Sequence, residues 1–147
     1  MSGLSPIDRV RTWVVTLVLV AGCAAGADFE TATIEIGDTE LSVWVADTAE
    51  ERRQGLRGVV DLPVDGMLFA WDFPTTATFG MRETLIPLDI WWFGLDGELI
   101  GMTEMQTCPD GDCVSYPAPG LVRWALETPQ GNYEFELGDR LTTSVNS

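Results

Sequence analysis

Histidine is absent from this 147-residue chain and so is lysine, the eight basic residues all being arginine. Without an imidazole there is no Ser-His-Asp triad, no Cys-His pair and no histidine-ligated zinc. Without lysine there is no Schiff base and no phosphate-binding loop ending in Gly-Lys-Ser/Thr. Positive charge of any kind is scarce: 23 acidic residues against 8 arginines leave a net charge of −15. Nucleic acid is gripped by clustered Lys and Arg, so no nucleic-acid partner is expected. Anionic lipid would repel such a domain, and membrane attachment would need a covalent anchor. The acidity itself is read first as an aid to solubility or to life in salt. Repeats and low-complexity tracts are also lacking. The length suits one core, and 46% hydrophobic against 21% charged residues leaves enough apolar surface to fold it.

Long hydrophobic runs are missing as well, apart from the one between Trp13 and Val20. It is about half the ~20 residues that a membrane-spanning helix needs. Arg9 and Arg11 precede it, and the small residues Ala21 and Gly22 lead from it to Cys23. Basic, apolar and small-residue regions in that order form a secretory leader. Val20-Ala21-Gly22-Cys23 resembles the lipobox of bacterial lipoproteins, which implies cleavage before Cys23 and acylation of that cysteine, palmitate included. Ordinary secretion with cleavage after Ala25-Gly26-Ala27 is the alternative, and it would discard Cys23. The expected organisation is a signal peptide over 1–22, a lipidated cysteine and tether over 23–30, and one β-rich domain over 31–147. The expected location is the extracytoplasmic side of a cell membrane or outer membrane.

Cysteine is scarce too. Setting Cys23 aside leaves Cys108 and Cys113, an even pair in an oxidising compartment, separated by the turn-forming Pro109-Asp110-Gly111-Asp112. A disulfide is expected, worth roughly 2 kcal/mol on the chain-entropy estimate. Structural zinc would need further soft ligands that the chain lacks, so no metal and no cofactor are assigned.

Hydrophobic periodicity then outlines the domain. Ala32, Ile34 and Ile36 alternate with polar residues, Gly37-Asp38 turns the chain, and Leu41, Val43 and Val45 alternate again, as in a β-hairpin. Thr48 and Glu51 have capping-box spacing, and the polar run from Glu50 to Gln54 before Gly55 reads as one short helix. Residues Gly66 to Trp71, Leu88 to Phe93, Leu99 to Met102, Leu121 to Leu126, Tyr133 to Leu137 and Leu141 to Val145 read as strands. Turns are expected at Asp96-Gly97 and from Pro129 to Gly131. The fold class is therefore all-β: a compact antiparallel sandwich or barrel, with one short helix near the N-terminal hairpin.

Several blocks share a pattern with a known family. They are the run from Val45 to Leu56, then Gly66-Met67-Leu68-Phe69, then Met81-Arg82-Glu83-Thr84-Leu85-Ile86-Pro87-Leu88-Asp89-Ile90. Met105, Cys108, Cys113, Tyr116 and the closing Gly138-Asp139-Arg140-Leu141 follow in order. From Ile34 to Leu141 the chain resembles the uncharacterised bacterial and archaeal family called domain of unknown function 192. The resemblance implies a compact all-β fold, commonly behind a signal or lipoprotein leader, and no established activity. The chain departs from the family pattern at Gly80, where an aromatic is usual, at Arg82 and Glu83 in place of Lys-Asn, and at Arg57 in place of Met.

The segment from Phe79 to Asp89, with the neighbouring loop from Cys108 to Tyr116, is the expected binding surface. Its ligand-binding candidates are Met81, Arg82, Glu83, Thr84, Asp89, Trp92 and Tyr116. Asp89, set between apolar neighbours, needs a partner; a structural hydrogen bond to loop amides or an ion pair with Arg82 is preferred to a ligand contact. Trp91 and Trp92 face opposite sides of a strand, so either one is exposed for stacking or both are covered. The leading functional expectation is a non-enzymatic envelope lipoprotein that binds a small molecule, glycan or envelope protein. The alternatives are a hydrolase using carboxylates among Glu83, Asp89 and Glu104, and a soft-metal carrier using Met102, Met105 and Cys108.

Overall fold

The computed structural model describes residues 28–145, so the leader, Cys23 and most of the tether expected from the sequence lie outside the described residues. The chain begins with the hairpin of β1 (Glu30–Ile36) and β2 (Thr39–Ala46), in the register that pairs Ile34 with Leu41 and Ile36 with Thr39. Gly37 makes the turn at φ +56°, a conformation that a residue with a Cβ takes at a cost. Helix α1 (Ala49–Gln54) follows. Its capping box is formed, with Glu51 N donating to Thr48 Oγ1 at 3.2 Å and Thr48 N donating to the Glu51 carboxylate at 3.0 Å. These hydrogen bonds, led by those from Thr48, hold the Glu51 carboxyl below its ordinary pKa. Gly55 ends the helix at φ +49°.

The remaining strands are β3 (Gly66–Thr75), β4 (Thr78–Gly80), β5 (Leu88–Phe93), β6 (Leu99–Met105), β7 (Ser115–Pro117), β8 (Val122–Pro129) and β9 (Leu141–Thr143). Seven form one sheet in the order β6-β5-β8-β3-β2-β1-β9, while β4 and β7 pair separately. The sheet curls into a half-barrel, and its two edges meet at one end. There Leu99 N donates to Asp139 O and Leu141 N to Gly97 O, both at 2.8 Å. Among the described residues the fold is mostly β with one short helix, as the sequence pattern indicates. It differs from a purely antiparallel sheet in one pairing: β3 runs parallel to β2, Val43 opposite Gly66 and Ala46 opposite Phe69. The connection that carries α1 is long enough to return the chain in the same direction, as a tight hairpin loop is not.

Two apolar layers result. All seven strands contribute to the inner one, with Ile34, Leu41, Leu68, Trp91, Leu99, Leu126 and Leu141 among its members. The outer one sets Met67, Phe69, Ile90, Trp92 and Ala125 under Leu56, Met81 and the small β4-β7 sheet. A sheet covered on both faces explains why every residue of β5 is buried. Trp91 and Trp92 are thus both covered, on opposite faces, and neither offers an exposed ring.

One expected strand does not form. Tyr133 to Leu137 reads as a strand after the turn from Pro129 to Gly131, but β8 is already flanked by β5 and β3 and offers it no free edge. The segment instead packs Tyr133 and Phe135 against the inner layer. The Tyr133 hydroxyl donates to Asp65 Oδ1 at 2.7 Å, while Asp65 Oδ2 accepts from Ser42 N at 2.7 Å. Burial, together with the bonded Asp65 carboxylate, pushes the Tyr133 phenol up to about 12.

Candidate functional site

A cavity of about 450 Å³ opens on the outer side of the sheet, between α1 with the loop after it and the β3-β4 face. That size lies within the range of small-molecule sites, roughly 300–1,000 Å³. Strand alternation decides what it contains. Phe69 and Trp71 of β3 point outward, and Phe79 of β4 packs edge-on against Phe69, Trp92 and Trp71, with ring centroids 4.7, 5.3 and 6.3 Å apart. These rings interlock, so the aromatic wall is rigid.

Glu127 also lines the cavity. It lies on β8, directly opposite Met67 of β3 on one side and Ile90 of β5 on the other, both members of the outer apolar layer. Its side chain is buried, and no hydrogen bond or ion pair holds it among the described residues. Burial alone, with no bonded cation to offset it, pushes its carboxyl up to about 8. The group is therefore chiefly a neutral acid at pH 7, able to donate as well as accept. Gly66 permits this arrangement: a Cβ there would sit 2.3 Å from the Glu127 carbonyl oxygen.

The mouth is basic. Of the six arginines among the described residues, three line the cavity: Arg52, Arg53 and Arg57. Arg52 is committed to the fold, donating to the carbonyls of Asp47 and Ala70 and lying 5.6 Å from the Trp71 ring centroid. Arg57 meets Glu83 at 3.4 Å in an exposed ion pair. Arg53 is exposed and has no ion pair or side-chain hydrogen bond among the described residues. The residue supplying the carboxylate to Arg57 is itself unusual. Glu83 has φ +61°, the one positive φ at a non-glycine among the described residues, and its carbonyl accepts from Gly58 N at 2.9 Å. Such backbone strain persists only where neighbours impose it.

The residues singled out from the sequence divide among three places. Thr84 lines the cavity, and Glu83 stands at its mouth through Arg57. Met81 is buried in the outer apolar layer beneath it, as is Trp92, so these two support the site from behind. Arg82 is exposed and joins the Cys108 loop through an isolated bridge, while Tyr116 pairs with Phe79 across β4 and β7. The two loops expected to form one surface are therefore adjacent. Asp89 is elsewhere: it shares the inner face of β5 with Trp91, away from the cavity, and its Oδ2 accepts from Gly131 N at 2.8 Å. That is the expected structural bond to a loop amide, and the ion pair with Arg82 does not form. Asp89 Oδ1 is buried without a partner.

The alternative chemistries find their residues scattered. Glu83 is at the cavity mouth, Asp89 is inside the sheet and Glu104 is exposed on β6, so the three acids share no cleft. Cys108 and Cys113 form the expected disulfide, with Cα atoms 5.7 Å apart. Its sulfurs are thus oxidised, and Met102 and Met105, three apart on a strand, face opposite ways. Among the described residues no group of three or more Cys, Asp and Glu is placed to hold a metal ion.

Glu127 is the residue that sequence reasoning missed. The expected strand stops at Leu126, one residue short of it. The signal was a lone acid inside an apolar run between two turn regions, but only the sheet order reveals that β8 is central and that this acid cannot reach solvent freely.

Comparison with known proteins agrees with this architecture. The sequence profile of domain of unknown function 192, described as "Uncharacterized ACR", matches residues 32–143. A solved structure from Novosphingobium aromaticivorans DSM 12444, a protein of unknown function, is similar at 29% identity and a TM-score of 0.66, over 82% of this chain and 89% of that one. Another, from Sinorhizobium meliloti 1021 and named for a suspected transcription regulator, has a TM-score of 0.71 at 22% identity, over 81% of this chain and 98% of that one. The latter likeness is one of fold alone. Among curated proteins none matches the chain.

Proposed function

Because the chain belongs to the family called domain of unknown function 192, a premise that brings a fold but no activity, we propose its function from its own cavity: it is an exported, lipid-anchored binding module that holds a small molecule between α1 and the β3-β4 face. The observation that carries this reading is the Glu127 carboxyl. That carboxyl is largely desolvated, lines the cavity and has no hydrogen bond within the described residues. A polar group so placed in a cavity wall is one that a ligand can bond. Interlocked aromatic rings and a basic mouth complete a site of the usual composition, mostly apolar with a few placed polar groups.

Binding is preferred to hydrolysis because Glu127 is the one acid in the cavity lining, whereas glycoside hydrolysis by the common routes needs a facing pair of carboxyls. We read the scaffold as an incompletely closed barrel rather than a sandwich, its cargo held outside the curl and not within it. In this reading the leader delivers the chain to the extracytoplasmic side and acylated Cys23 tethers it. The net charge of −15 keeps it off nucleic acid and anionic lipid surfaces. A thermal-shift screen of metabolites and sugars against wild type and Trp71→Ala tests the binding reading. Ligands that raise the wild-type melting temperature and lose that effect in Trp71→Ala support it. A screen with no stabilising compound, or with compounds indifferent to Trp71, defeats it.

A further inference from the structure

Charge at the cavity mouth narrows the ligand, granted the binding reading just given. In a chain this acidic, three of the described arginines gather at one opening, where the described acids are Glu127 in the lining and Glu83 on Arg57. Only one of the three is unengaged. Arg52 is held by two backbone carbonyls and by Trp71, and Arg57 already carries the Glu83 carboxylate, which leaves Arg53. A ligand dianion such as a phosphate ester would call for several converging donors, whereas a single guanidinium matches a carboxylate in fork-to-fork geometry. Behind that rim the aromatic wall of Phe69, Trp71 and Phe79 suits a flat or ring-shaped body, and the floor offers one carboxyl.

We infer that the cavity takes a small ring-bearing carboxylate, its anionic group on Arg53, its ring against Trp71 and Phe79, and a polar substituent bonded to the Glu127 carboxyl. Glu83 then acts as a built-in competitor. Its exposed carboxylate occupies Arg57 at 3.4 Å in the free protein, and a ligand carboxylate reaching the mouth meets one open guanidinium rather than two. Removing that competitor should strengthen binding, an effect that a purely structural part for Glu83 does not produce.

The test uses the full chain in detergent and matched probes: para-hydroxybenzoate with para-hydroxybenzamide and para-hydroxybenzylamine, and glucuronate with glucose, followed by calorimetry and by tryptophan fluorescence. The acid of at least one set should bind about tenfold or more tightly than its neutral and cationic counterparts, the fold-change of one charge-assisted hydrogen bond. Arg53→Gln should cost roughly tenfold in that affinity without lowering the melting temperature, since Arg53 is exposed and holds nothing in the free fold. Glu83→Gln should raise it by about threefold or more, and added salt should weaken it. Neutral or cationic members that bind as well as the acids, or acid binding indifferent to both Arg53→Gln and Glu83→Gln, overturns the ligand class while leaving the cavity a binding site. Probes that all fail to bind also overturn the class, and the metabolite screen then judges the binding reading separately.

Discussion

Replacing Glu127 with glutamine should change how the stability of the fold depends on pH, and the size of the change follows from where the side chain sits. The carboxyl titrates near 4.5 when unfolded and near 8 in the folded chain, where desolvation against Met67, Phe69 and Ile90 disfavours the anion. Between those two values the native state holds a proton that the unfolded state has released. The stabilising contribution is therefore fully present below pH 4.5, declines as pH rises, and is gone once pH has passed about 8. A shift of this size corresponds to about 5 kcal/mol over the whole window, of which roughly 4 kcal/mol falls between about pH 5 and about pH 9. Typical domains have only 5–15 kcal/mol in total. Glutamine keeps the shape and has no proton to lose, so its stability should lack this component. Urea unfolding of both proteins across that range, followed by tryptophan fluorescence, gives the difference directly. Other titrating groups, the large negative charge included, act on both proteins alike and cancel. The gap between the two should move in favour of glutamine by several kcal/mol as pH rises. Parallel curves would refute the reasoning, because they would mean that the Glu127 carboxyl is already ionised and paired in the folded protein at neutral pH.

Other expectations follow from the same geometry. Binding of the ring-bearing carboxylates should weaken as pH rises through about 8 in wild type and not in Glu127→Gln, since the floor then ceases to be a donor; calorimetric affinities at a series of pH values check this. Gly66→Ala must push β3 away from the Glu127 carbonyl, 2.3 Å from the added carbon, and should destabilise by about 1–3 kcal/mol or more, measured by urea unfolding. Asp89→Ala removes the acceptor of Gly131 N and should cost about 1–3 kcal/mol without altering ligand affinity, because the group lies on the inner face; a variant of full stability would contradict the structural role. Mass spectrometry of the native protein should find the chain starting at an acylated Cys23, and an uncut leader would end the lipoprotein proposal.

The sequence makes much of the frame legible, and the reasons are local. Alternation in β1 and β2, the Thr48-Glu51 capping box, the exact extent of β5 and the disulfide all depend on residues close together in the chain. What escaped depends on sheet order. The short strands β4 and β7 have three residues each and no periodicity to detect, yet their pairing brings Phe79 to the cavity and Tyr116 beside it. Tyr133 to Leu137 alternates as a strand would, but a neighbour with both edges occupied cannot accept it. For the site, the run from Phe79 to Asp89 was the right neighbourhood with the wrong acid: Asp89 and Glu127 each lie in an apolar strand, and only the pleat of β5 and β8 sends one inward and the other toward the cavity.

The cavity exists because its cover is too short. Helix α1 has six residues, none of them buried, and so cannot close the outer face from β2 across to β8. Leu56, just beyond the helix, seals one side, and the β4-β7 sheet seals the other. Between them the floor is left to β8, a strand flanked by β5 and β3, while the mouth is left to a helix with no buried residue. Rigid floor and loosely held rim should therefore respond differently to substitution. Changes at Arg53 or Glu83 should move affinity and leave the unfolding free energy within about 0.5 kcal/mol, as for ordinary surface positions. Changes at Phe69, Glu127 or Met81 should move both together. Plotting ligand affinity against stability for such a set would show two separate groups if the site is built this way, and a single correlated line if the rim is in fact part of the folding core.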